Sequence, residues 1–227
     1  MASATHYKFV QVDGVGRVRT RTYKSHSQLG NVAVVEVTLR TETPVHVGSG
    51  EFSVRGSLPL SLNAKDGQGN LVIPGSTLKG VTAHYHLAIY GKREKTSALF
   101  GFPGYMSRVL FRDAKPTTPI RPVYEEVGPS WQPQKKQPGA VKVYRTDLPR
   151  ASETPVLVLE CIPRNTTLKT KVTVVNTDEE EVAEILLALG YPVGGTVLIG
   201  YGKPKGLGKV KVEDVKVEMA AAAQAVT

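Results

Sequence analysis

Hydrophobic and polar positions alternate along Val32–Thr41, a run rich in β-branched side chains, which predicts a strand with one buried face. A shorter apolar run at residues 71–73 stops at Pro74-Gly75. Beyond it the spacing becomes helical: Leu78, Val81, Tyr85, Ala88 and Ile89 define one apolar face, with Ser76 or Thr77 placed to cap the helix. The strand pattern returns at residues 156–162 and 168–175. The capping-box sequence Thr177-Asp178-Glu179-Glu180 then opens a second helix, with Val182, Ile185, Leu186 and Leu189 on one face and Gly190-Tyr191-Pro192 as its stop. Residues 197–199 and 210–217 alternate again and flank a glycine-rich loop. Two strand-rich halves, each with one packed helix, predict an α+β domain of the ferredoxin-like or RNA-recognition type.

The connections carry less pattern. Residues 51–70 read as irregular, with a turn at Asp66-Gly67-Gln68-Gly69-Asn70. Eight of the 15 prolines fall between 105 and 155, so the segment 101–155 reads as an insertion outside the core. Its strand-like pieces at 108–112 and 141–146 suggest a thumb-like hairpin, with Tyr124, Trp131 and Tyr144 as a base-stacking surface or as packing at its root. One domain over residues 1–227 is therefore expected. Its core spans 32–100 and 156–218, residues 1–31 form a basic arm or edge strand, and residues 219–227 form a frayed tail.

Composition narrows the function. Lysine and arginine outnumber acidic residues by 29 to 20, for a net charge of +9, which favours a polyanionic partner, nucleic acid before membrane. Acid is concentrated at residues 178–184, leaving the basic loops to form a separate face. No run approaches the ~18 apolar residues of a membrane span. The first residues lack the apolar core of a secretion signal, so a cytoplasmic location is expected. The single cysteine, Cys161, sits in an apolar strand and reads as structural, which excludes an intrachain disulfide and a cysteine-built metal site. His84 and His86, two apart on a helix, point to different faces and make a poor shared metal site. No cofactor and no metal are expected.

The most distinctive stretch is Gly200-Tyr201-Gly202-Lys203-Pro204-Lys205-Gly206-Leu207-Gly208-Lys209. Glycines permit close backbone approach, and interleaved lysines supply charge for phosphate. A strand follows instead of a helix, and no Walker-type run exists, so nucleotide-cofactor loops are excluded. A solvated hairpin with lysines for solubility is the alternative reading.

Thr43 to Gly50, the run from Ile73 through Pro74-Gly75-Ser76-Thr77-Leu78-Lys79 to Gly80, and Ala98-Leu99-Phe100-Gly101 together resemble the RAMP superfamily of CRISPR systems. Ser107 to Ala114, Glu160 to Thr167, the second helix and the loop at 200–208 extend the likeness in order over about residues 32–218. It is strongest to medium-sized subunits of type III effector complexes (Csm or Cmr). The resemblance implies a modified RNA-recognition fold with a thumb, packed on sibling RAMP subunits around a CRISPR guide RNA and its target RNA. Gripping would go through the guide backbone, at Ser49, Gly50, Ser76, Thr77, Lys79, Arg108, Arg112, Arg145, Arg150, Lys203, Lys205 and Gly206. Target-cleaving members of the family carry an aspartate before the Pro-Gly-Ser segment. The corresponding stretch here, Ser57-Leu58-Pro59-Leu60-Ser61, has no carboxylate, with Asp66 the nearest substitute. A non-cleaving RNA-binding subunit is the expectation. An endoribonuclease using His26 or His46, with Tyr7 or Tyr23 nearby, and a structural filament cap are its rivals.

Overall fold

The computed structural model describes residues 6–13, 30–130 and 137–221. Arg17, Arg19, Arg21, Tyr23, His26 and Trp131 lie outside the described residues. In chain order the first elements are β1 (Tyr7–Gln11), β2 (Val32–Thr41), β3 (Gly48–Arg55), β4 (Leu58–Asn63), α1 (Gly75–Tyr90) and α2 (Arg93–Phe100). There follow β5 (Val109–Phe111), β6 (Lys115–Pro116), β7 (Val123–Val127), β8 (Ala140–Tyr144) and β9 (Leu157–Cys161). The last are β10 (Thr167–Val175), α3 (Glu179–Ala188), β11 (Thr196–Leu198) and β12 (Lys209–Ala220).

The α+β class is as expected. The principal sheet runs β11-β12-β2-β10-β5, with β6 beside β10, and all its pairs are antiparallel. The alternation in β2 turns Ala33, Val35, Val37, Leu39 and Thr41 inward, and all five are buried. Each fully buried valine or leucine contributes about 1.5–3 kcal/mol. Leu168, Val172 and Val174 of β10 join them, in one core with Leu78 of α1, Val182 and Ile185 of α3 and Leu189 just beyond it. The buried stripe of α1 continues through Thr82 and His86, which are polar but satisfied. Thr82 donates to the Leu78 carbonyl at 2.7 Å, and His86 meets Thr96 at 2.8 Å and Glu184 at 3.3 Å. Burial depresses the His86 pKa despite the neighbouring Glu184 carboxylate.

Both helix starts differ from expectation. Asp178, not Thr177, caps α3 by accepting from the Glu181 amide at 2.9 Å. At α1 neither Ser76 nor Thr77 caps. The Asp113 carboxylate, delivered from the end of β5, accepts from the Gly75 amide at 2.8 Å. A Cβ at Gly75 would stand 2.2 Å from the Phe111 carbonyl oxygen, so this crossing of chains admits only glycine.

The connections held more structure than their pattern predicted. Residues 51–70 contain a hairpin, β3–β4, in a second sheet of order β3-β4-β9-β7. Every β3 residue is exposed, Phe52 and Val54 included, so no hydrophobic alternation marks it. The two strand-like pieces of 101–155 do not pair with each other. β5 joins the principal sheet against β10, whereas β8 pairs with β1 in a separate two-stranded ribbon. The C-terminal strand continues to Ala220, past the expected start of a frayed tail.

Candidate nucleic-acid interface

Three segments with no sequence proximity meet along the first three turns of α1. The glycine-rich loop brings Lys203, β8 brings Lys142 and Tyr144, and α1 presents Thr77, Gly80, Val81, His84 and Tyr85. They line a groove of about 340 Å³ with Leu198 at its floor. Ser76, exposed, and Lys79, half-buried, belong to the same stretch of helix. His84 Nε2 donates to the Lys142 carbonyl at 2.8 Å and ties β8 to α1, and Tyr85 accepts from the Leu198 amide at 3.1 Å. Among the described residues no carboxylate lines this groove. Lys203 is half-buried, and its pKa is lowered by desolvation alone. Burial likewise lowers the His84 pKa, and the Lys203 charge lowers it further, so the imidazole is neutral at pH 7. A desolvated ammonium with no counter-ion stabilises an incoming anion more than a solvated one does.

Lys142 is held differently. Its Nζ lies 3.7 Å from the Tyr7 ring centroid and 4.9 Å from that of Tyr144. Tyr7 and Tyr144 are direct partners across the β1–β8 ribbon, with ring centroids 5.9 Å apart. Lys142 precedes Tyr144 by two residues and so shares its face of the strand.

The other positions expected to touch RNA scatter, and several turn inward. Arg108 is buried to 1% exposure. Its guanidinium donates to both Glu181 oxygens at 2.7 and 2.9 Å, to the Asn176 carbonyl at 2.7 Å and to the Ala98 carbonyl at 2.9 Å. It fastens β5 to the end of α2 and the start of α3 and presents no charge to a ligand. Lys205 is also buried, its ammonium on Glu153 and, at 2.9 Å, on the Pro129 carbonyl. Arg150 bridges Glu125, the Glu126 carbonyl and the Lys205 carbonyl, and Arg145 pairs with Asp147 on the surface.

The glycines of the loop receive the protein's own backbone. At Gly206, where φ is +79°, an added Cβ would come within 2.6 Å of the Pro149 carbonyl oxygen. Ser49 and Gly50 begin the exposed β3, away from the groove, with Ser49 donating to the Leu62 carbonyl at 3.2 Å. Arg112 lies on the open face of the principal sheet, in a depression of about 820 Å³ where Lys115, Lys169, Lys171 and Lys216 stand among Glu36, Asp113 and Asp214.

Of the candidate catalytic groups, Asp66 and His46 are engaged within the fold. Asp66 accepts from the Gln68 and Asn70 amides at 3.0 Å each and from Lys115 Nζ at 3.0 Å, and the Lys115 bond leads in lowering its pKa to about 2. His46 is 2% exposed. Its Nδ1 donates to the Glu160 carbonyl at 2.7 Å and its Nε2 accepts from Ser61 Oγ at 3.0 Å, which makes it a packing group. His26 lies outside the described residues. Cys161 is buried and its thiol is pushed up to about 12, chiefly by burial, as a structural cysteine requires. Among the described residues no cluster of three His, Cys, Asp or Glu side chains is placed to hold a metal ion, and no helix is long and apolar enough to cross a membrane.

The structure is an α+β domain with a basic groove, free of carboxylates among the described residues, beside a glycine loop. The chain belongs to the RAMP superfamily, whose sequence model matches residues 38–211. Its fold is similar to a chain in the cryo-EM structure of the Type III-B Cmr-beta bound to cognate target RNA, at 18% identity and a TM-score of 0.55. The match covers 82% of this chain and 61% of that one, so this protein spans under two thirds of the length of that relative. No curated protein matches the sequence.

Proposed function

We propose that this RAMP protein is an RNA-binding subunit of a type III CRISPR effector complex. It grips the backbone of guide RNA at the α1–glycine loop groove and packs on sibling subunits near the target RNA. The observation that carries this reading is Lys203, half-buried beside α1 with no carboxylate among the described residues that line its groove. Several other cations, among them Arg108, Lys115, Arg150 and Lys205, are held by carboxylates. The order β12-β2-β10-β5, with a helix after β2 and another after β10, supports a ferredoxin-like core. The β3–β4 hairpin, whose outer strand β3 is exposed along its whole length, is the better counterpart of a thumb than residues 101–155. Target cleavage is not part of the proposal, because Asp66 is engaged in its own turn and with Lys115, and His46 is engaged between β4 and β9. A cytoplasmic location goes with this role.

The test is binding of the purified chain to a labelled single-stranded RNA over a salt series, with denaturing gels from the same samples. Intact RNA and steeply salt-dependent binding are expected, the slope of log K against log salt falling by about 0.7 in Lys203→Ala. Discrete cuts would make the protein a nuclease. Binding that ignores both salt and Lys203 would remove the groove from consideration.

A further inference from the structure

We infer that the β1–β8 ribbon is the second wall of this groove and that Lys142 is a phosphate contact acting beside Lys203. The inference rests on the RNA-gripping reading above and goes beyond it by assigning a second cation and the means of holding it. Lys142 lines the groove, and no carboxylate pairs with it among the described residues. Two tyrosine rings hold its ammonium instead, at 3.7 and 4.9 Å. The distinction matters electrostatically. A carboxylate holds an ammonium by cancelling its charge, whereas the face of an aromatic ring fixes its position and leaves the charge whole. The backbone under Lys142 is fixed as well, since its carbonyl accepts from His84 at 2.8 Å. Two lysines on facing walls, neither neutralised, suit consecutive phosphates of a single strand better than one isolated anion. Tyr7 and Tyr144 are positioning residues here and act through Lys142.

The experiment compares Lys142→Met, Lys142→Arg, Tyr7→Leu and Tyr7→Phe with Lys203→Ala, using a labelled oligouridylate 12-mer over a salt series. Thermal unfolding of each variant confirms the fold. Lys142→Met is expected to lose affinity about tenfold at moderate salt. It should also lower the salt slope by about 0.7, additively with Lys203→Ala. Lys142→Arg keeps the charge and should keep the slope. Tyr7→Leu should weaken binding with the slope little changed, because the charge remains but is no longer held, and Tyr7→Phe should restore what Tyr7→Leu loses. If Lys142→Met binds like the parent while Lys203→Ala does not, the ribbon wall is refuted and the groove reading survives. If both variants bind like the parent, the groove reading fails and this inference fails with it.

Discussion

Replacing Arg108 with methionine separates a structural arginine from a ligand-binding one. The methionine fills much of the same space but removes the guanidinium from a site 1% exposed. The Glu181 carboxylate, 20% exposed, loses its bidentate partner, and the Ala98 and Asn176 carbonyls lose donors at 2.9 and 2.7 Å. Breaking a buried ion pair from one side costs about 3–5 kcal/mol. The partial exposure of Glu181 lets water recover some of that and places the expectation near ~3 kcal/mol. In a domain of this size each kcal/mol moves Tm by about 2–4 °C, so Tm should fall by roughly 6–12 °C. Adding Glu181→Gln should return part of the loss, since the stranded charge is gone. The RNA salt slope, measured well below the lowered Tm, should stay at the parental value. A Tm within about 2 °C of the parent, together with a shallower slope, would show that Arg108 faces RNA and would refute this account of the α2–β5–α3 junction.

Two further outcomes follow from the same geometry. Gly206→Ala should destabilise the protein by about 2–4 kcal/mol in urea unfolding, because an alanine at φ +79° is strained and its Cβ would press on the Pro149 carbonyl. An unchanged midpoint would mean that the loop is loose. His46, His84 and His86 all have pKa values lowered by burial in the folded state. Below the ordinary histidine pKa of 6.5 the unfolded chain takes up protons that the native state refuses. Stability should therefore be full above about pH 6.5 and fall as pH drops below it, and a Tm that rises from pH 7 to pH 5 would contradict this.

The principal sheet was legible because its strands are wet on one face only. Alternation in β2, β10 and β12 announces the buried side without knowledge of the partners. β3 was not legible, since all eight of its residues are exposed and a strand without a dry face has no period to read. β1 and β8 lie more than a hundred residues apart, and the proline-rich sequence around β8 hid its pairing. Lys142 and Tyr144 carried a local hint, standing two apart in a strand-like run. What made them part of a groove was the arrival of β1 and α1, which no local pattern encodes.

The charges of the glycine loop show why composition locates a partner more easily than it locates a contact. Lys203 and Lys205 are two residues apart, on one short turn between Gly202 and Gly206, and looked equivalent in sequence. The turn sends Lys205 inward to Glu153, 52 positions earlier, and Lys203 toward α1. Whether a lysine remains available to a phosphate depends on carboxylates that the fold brings to it from far along the chain. The loop's glycines serve that outcome indirectly. Gly206 lets the turn press against the backbone at residues 149–150, which helps to fix Lys203 beside the helix. On the proposed reading the loop acts on RNA through the side chain it positions, so removing Lys203 should cost binding without cost to the fold, whereas replacing Gly206 should cost the fold and, by releasing Lys203, binding as well.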